Sequence, residues 1–202
     1  GTLLLLNGQL PASYRLRELA ARFRRVLAAD GAAVAAIAAG LTPDLVIGDL
    51  DSVGELQPTL QQLGVQVIER PSQEENDFEK ALRWLLEQGE TSVTVAGIGG
   101  GLIDHTLNNF SILAKFAHRL QLQFVDERSR GVVVVDHGQF PSSPGLRISI
   151  IPLPAATLST TGLAWELTNE HLAFGQREGA SNIAIAGTVS VRVHQGVVVV
   201  VV

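Results

Sequence analysis

The sequence predicts an α/β protein in two parts. An N-terminal, doubly wound and mainly parallel sheet with helices is expected over residues 1–127, and a C-terminal all-β sandwich over 128–202. Three observations lead there. Apolar runs closed by glycine or aspartate alternate with stretches of helical period up to about Glu127, the pattern of repeated strand–helix units. Beyond that point only short β-type runs remain, broken by glycine and proline, with no periodic segment of helix length. The composition, 46% hydrophobic and 17% charged over 202 residues, is that of a globular chain long enough for a real core.

The elements follow in order. "TLLLLNG" is an apolar strand closed by Asn7-Gly8, and a helix is expected from about Tyr14. In "RLRELAARFRR", Leu16, Leu19, Phe23, Val26 and Leu27 fall at helical spacing, so the arginines read as a solvated helix face. "RVLAADG" is a second strand ending at Asp30-Gly31, and an alanine-rich helix runs to Gly40. "PDLVIGDLDS" and "GVQVIER" are the third and fourth strands. "NDFEKALRWLLEQG" is a helix with Phe78, Ala81, Leu82, Leu85 and Leu86 on one stripe. "TSVTVAG" is a strand, "DHTLNNFSILAKFAHRL" a helix and "QLQFVDE" the last strand of this part. The β part reads as "GVVVVDHG", "GLRISIIPLP", "TLSTTGLAWEL", "LAFG", "SNIAIAG", "TVSVRV" and "GVVVVVV". A free hexavaline edge invites aggregation, so it is expected to be paired within a sheet or at a dimer contact.

Composition also excludes whole classes. A net charge of −5 leaves no excess of cations to displace counterions, which argues against general nucleic-acid binding. Cysteine is absent, so thiolate metal sites and disulfides are ruled out. The longest apolar stretches, Ala32 to Ala39 and the terminal valines, fall well short of the ~20 residues of a spanning helix. A cytoplasmic enzyme or binding protein, not membrane-bound, is the expectation.

In a doubly wound sheet, ligands bind beyond the carboxyl ends of the strands. There the sequence places Asp30, then Asp49, Asp51 and Ser52, then Gln73, Glu74, Glu75, Asn76 and Asp77, then Asp104 and His105. Each aspartate alone reads as a turn former or helix cap. Asp49 and Asp51, two residues apart, are harder to dismiss. Like charges that close repel unless a cation sits between them or one holds a proton, and magnesium shared with substrate phosphates resolves the conflict. Gly97, Gly99, Gly100 and Gly101 supply the counterpart: a turn between strand and helix whose N–H groups and helix dipole favour phosphate. Neither the P-loop nor the GxGxxG pattern is present. Asn76 with Glu79 resembles a capping box. His105, His118, His137, His171 and His194 lack zinc-type spacing, and no G-x-S-x-G elbow exists.

"PDLVIGDLDS", "ENDFEKAL", "GGGLIDHTLNN" and the late "GASN", in this order, resemble the thiamine pyrophosphokinase family over nearly the whole chain. Leu50 takes the place of the aromatic in that family's GD-aromatic-DS element. The resemblance implies transfer of the diphosphoryl group of ATP to the thiamine hydroxyl, giving thiamine diphosphate and AMP. It implies Asp49, Asp51, Asp77 and Asp104 as catalytic magnesium ligands. Asp30, Ser52, Gly100, Gly101 and His105 would lie on the nucleotide, and Trp165, Ser181 and Asn182 on thiamine, in a homodimer. An aromatic face suits the thiazolium cation. The chain departs from the pattern at Leu102, where an arginine is usual, at Ala32 and Val34, at Glu74 and Asn76, and at Ile183.

Two other readings compete. A strand entering D-x-D-S also opens haloacid-dehalogenase-type phosphatases, in which the first aspartate attacks phosphate. That chemistry needs a later lysine, and only Lys80 and Lys115 exist, both inside helices. The second alternative is a non-catalytic or substrate-altered relative that binds thiamine or nucleotide, suggested by Leu102.

Overall fold

The computed structural model describes residues 1–51, 54–72 and 74–202. The chain divides into two compact units, Gly1–Ile112 with Arg119–Arg128, and Leu113–His118 with Ser129–Val202.

The first unit alternates β1 (Thr2–Leu5), α1 (Ser13–Ala20), β2 (Arg25–Ala29), α2 (Ala32–Ala38), β3 (Leu45–Gly48), a 3-10 turn (Gly54–Leu56) with α3 (Gln57–Gln62), β4 (Gln66–Glu69), α4 (Asp77–Glu87), β5 (Ser92–Ala96), α5 (Ile103–Phe116, its last residues from Leu113 counted with the second unit) and β6 (Gln121–Val125). Its strands run parallel in the order β6-β5-β1-β2-β3-β4. Strand side chains alternate between faces. Leu3, Leu5, Val26, Ala28 and Val46 therefore pack on Leu16, Ala32, Ala36 and Leu60 on one side. Leu4, Leu27, Ile47 and Val95 are buried on the other, and Phe78, Leu82 and Leu85 of α4 are buried too. Burial on both faces is why these strands read as unbroken apolar runs. Successive connections move outward from β1 in one direction through β4, and from β5 in the other to β6. The order reverses between β1 and β5, so a crevice opens beyond their carboxyl ends.

Val26 and Leu27 fit both the helical stripe and the strand "RVLAADG", and the strand reading holds: helix α1 ends at Ala20, and β2 sets Arg25 beside Thr2 and Val26 beside Leu3. The cap on α4 takes the expected form: the Asn76 side-chain oxygen accepts the Glu79 N–H at 2.9 Å. Asn76→Ala should lower stability by about 1 kcal/mol, read by urea denaturation, because that first-turn donor loses its partner.

The second unit contains β7 (Arg130–Val134), β8 (His137–Pro141), β9 (Arg147–Thr161), β10 (Glu170–Ala173), β11 (Gly179–Ile183) and β12 (Thr188–Val201). Two runs expected as separate strands form the single 15-residue β9, which passes through Pro152 and Pro154. The prolines are tolerated because the register of β9 against β12 shifts between Gly196 and Val198, opposite this stretch. The two ends of β9 pair with different neighbours, β11 and β10, and the two ends of β12 with β8 and β7. Inward residues from both ends, Ile148, Ile150, Leu158, Val189, Val191, Val198 and Val200, share one core. The terminal valines are paired on both sides, Val199 lying between Val133 and Ile151, so they present no free edge.

Candidate active site

The crevice of the first unit is a cleft of about 390 Å³. Its floor is built by two turns far apart in sequence. Gly8 N–H donates to the Gly97 carbonyl at 3.1 Å and Gln9 N–H to the Gly99 carbonyl at 2.7 Å, which docks the turn after β1 onto the glycine turn after β5. At Gly100, φ is +81°, and an added Cβ would stand 2.4 Å from the Gln9 Cβ. Close packing of the two turns thus accounts for part of the glycine content. The Asn109 amide donates to the Ile98 carbonyl at 2.8 Å and ties α5 to the same turn. Gly101, His105, Asp30 and Asp77 line the cleft, whereas Gly100 packs beneath it.

The acids gather beside β3. Leu50 adopts φ +67° and tucks its side chain against the apolar core, so the chain folds back after β3. This turn, not an extended strand, brings Asp49 and Asp51 together. Asp30, at φ +38° after β2, joins them: one carboxylate oxygen from each of Asp30, Asp49 and Asp51 lies within 4.8 Å of the other two. Gly48 allows the approach, since a Cβ there would stand 2.7 Å from the Asp30 Cβ and 3.0 Å from Asp77 Oδ1. The trio fits a hard divalent cation, whose oxygen ligands at about 2.0–2.5 Å stand up to ~4–5 Å apart across the ion.

A lysine completes the cluster, and its role was not legible as such in the sequence. Lys80, 3% exposed, donates from Nζ to Asp49 Oδ2 at 3.1 Å and to Asp77 Oδ1 at 3.0 Å. Its placement on the buried side of α4, three residues after Asp77, was the available signal. The hydrogen bond from Lys80 holds the Asp49 carboxyl below its usual range, helped by the Asp51 backbone N–H. Burial pushes Asp77 above the usual range, with the charges of Asp49 and Asp30 adding to it and Lys80 opposing. Burial pulls the Lys80 ammonium down, but the bonds to Asp77 and Asp49 outweigh it and the net shift is upward.

The structure therefore groups the expected residues differently. Asp30, expected beside the nucleotide, stands with Asp49 and Asp51. Asp77 lies next to them on Lys80. Asp104 is exposed at the start of α5, where its Oδ1 accepts the His105 N–H at 2.9 Å, and it lies outside the trio. Ser52 and Gln73 fall outside the described residues.

In the second unit Trp165 is 64% exposed on a loop that is held by side chains. The buried Asn182 accepts the Trp165 N–H at 3.2 Å and donates to its carbonyl at 2.7 Å. Asn182 Oδ1 also accepts the Ile183 N–H at 2.8 Å, so its amide works as scaffold for the loop. Ser181, at φ +60°, is exposed, and its N–H donates to Ser149 Oγ at 3.0 Å.

Both parts of the chain match known family descriptions. Residues 16–125 match "Thiamin pyrophosphokinase, catalytic domain", and residues 139–198 match "Thiamin pyrophosphokinase, vitamin B1 binding domain". Thiamine pyrophosphokinase 1 of Oryza sativa subsp. japonica is 28% identical over 163 residues, 74% of this chain and 62% of that protein. The chain thus spans about three fifths of that relative's length. Thiamine pyrophosphokinase of Bacillus subtilis is 26% identical over 161 residues, covering 76% and 75% of the two chains. The crystal structure of the Bacillus subtilis protein matches 100% of this chain and 98% of its own with a TM-score of 0.81 at 22% identity. That of Geobacillus thermodenitrificans covers 100% and 96%, with a TM-score of 0.79 at 24% identity. At these identities the structural likeness speaks to the fold.

Proposed function

The chain belongs to the thiamine pyrophosphokinase family, and on that premise we propose that it is a magnesium-dependent thiamine diphosphokinase. The observation that supports this most directly is the convergence of Asp30, Asp49 and Asp51, of which Asp30 lines the cleft floored by the glycine turn. In this reading the nucleotide occupies the cleft, with its phosphates toward the N–H groups around Gly101 and the start of α5. The hydroxyl oxygen of thiamine attacks the middle phosphorus of ATP, the bond to the innermost phosphate breaks, AMP leaves, and the hydroxyl proton is released. Such transfer depends on alignment and on neutralising charge that develops on phosphate oxygens. A bound magnesium ion supplies that neutralisation. Asp30, Asp49 and Asp51 would hold it, the backbone turn at Leu50 orients the last two, and Asp77 stands in the cleft beside them. Trp165 offers its exposed ring to the thiazolium, and Asn182 keeps its loop in place. A homodimer in the cytoplasm belongs to the same proposal. Among the described residues no helix is long and apolar enough to cross a membrane.

The contact between Lys80 and Asp49 also meets one requirement of the phosphatase alternative. One experiment decides. The protein is incubated with ATP, magnesium and thiamine, and the products are separated by chromatography. Thiamine diphosphate and AMP in equal amounts are expected. Inorganic phosphate without AMP would favour the phosphatase, and thiamine binding without any product would favour the non-catalytic relative.

A further inference from the structure

Lys80 lies where a metal ion's charge would otherwise be needed. Its buried ammonium bridges Asp49 and Asp77, taking one oxygen of each, at 3.1 and 3.0 Å. Asp49 is also one of the three acids whose oxygens converge. Of the four carboxylates Asp30, Asp49, Asp51 and Asp77, two thus bind one built-in cation, and a Cβ on Gly48 would touch both Asp30 and Asp77. Two consequences follow from charge alone. The lysine removes repulsion that would push Asp49 and Asp77 apart when no ion is bound. It also opposes any divalent ion held by Asp49, because like charges a few ångströms apart repel strongly at the partly screened edge of a protein.

We propose that Lys80 is a positioning residue that keeps the acid cluster assembled without metal and lowers its affinity for free magnesium, so that the ion enters with the nucleotide's phosphates. This rests on the metal-dependent reading of the same site. The ion's ligand set in this proposal is Asp30, Asp49 and Asp51, whose oxygens converge, with Asp77 beside that trio on the lysine. The trio keeps a net attraction for the ion. What Lys80 subtracts is the part of that attraction that would retain the ion between turnovers.

The test is calorimetric titration of magnesium chloride, without nucleotide, into the full chain, with circular dichroism to verify folding. Lys80→Gln keeps donors for both carboxylates and removes the charge, and it should bind magnesium about 10-fold more tightly than the unaltered protein. Lys80→Arg keeps the charge and should bind as the unaltered protein does. Removing one partner of a buried pair can unfold a chain. The double variant Lys80→Met with Asp77→Asn, which removes an acid along with the base, is therefore measured in parallel. Against Asp77→Asn alone, which loses the same acid, it should bind more tightly. Affinity that is unchanged or weaker in the folded neutral variants overturns the proposal, as does the absence of binding heat in every variant. Because no nucleotide or thiamine is present, failure here is separate from failure to form thiamine diphosphate, which would instead remove the proposed reaction.

Discussion

Asp51→Asn is expected to lower the proposed thiamine diphosphate formation by more than about 100-fold while leaving the circular dichroism spectrum and melting temperature unchanged. The size of the effect follows from the position of the carboxylate. Loss of groups that merely support metal ligands costs about 10–100-fold, and Asp51 is one of the three acids whose oxygens converge directly. Asparagine keeps the shape and one acceptor oxygen but removes the charge that attracts a hard cation. Stability should hold because Asp51 is exposed and packs into no core cluster. The backbone N–H of residue 51 that supports the Asp49 carboxylate is also unaltered by the change. Steady-state rates with AMP detection give the readout. Turnover within tenfold of the unaltered protein would show that Asp51 holds no essential ion.

Gly8→Ala should destabilise the first unit by about 3 kcal/mol, a fall in melting temperature of roughly 6–12 °C. An added Cβ would stand 2.3 Å from the Gly97 carbonyl oxygen and 2.4 Å from that of Gly99. Both obstacles are backbone, so no rotamer change relieves them. Moving the turn aside would break the bonds from Gly8 and Gln9 that dock it. The cleft floor is made of that contact, so ATP binding should weaken along with stability. Gly187→Ala is the control, since a Cβ there meets nothing within 4 Å, and its melting temperature should match the unaltered chain. An equal loss in both variants would mean that the measured cost is general and not caused by the close approach at Gly8.

How much of this was legible beforehand differs from one residue to the next. The run Leu45 to Gly48 reads as a buried strand because both its faces are covered, and the strand–helix alternation of the first unit follows from such runs. Asn76 reads as a cap because its side chain needs only a donor three residues on. Asp49 and Asp51 attract notice because two acids at one strand end are costly. The failures have one cause in common: a pairing partner distant in sequence. Val26 and Leu27 fit both a helical stripe and the strand "RVLAADG", and pairing with β1 selects the strand. Pro152 and Pro154 look like strand breaks until a register shift in the facing strand accommodates them. Lys80 looks like an ordinary helix lysine until β3 arrives alongside α4 and supplies Asp49.

The sequence by itself determined the strand–helix alternation of the first part, though not the short α3 nor the end of β9 before Trp165, and that acids and glycines sit at the strand ends. Only the tertiary structure decided the strand order, and with it the reversal between β1 and β5 that opens the cleft. It also decided that Asp30 meets Asp49 and Asp51 while Asp104 stays outside that trio. The physical reason is that periodicity records whether a side chain is buried, a local property of each segment. Which buried segment lies beside which depends on packing between residues far apart in the chain, and the local pattern carries no record of it.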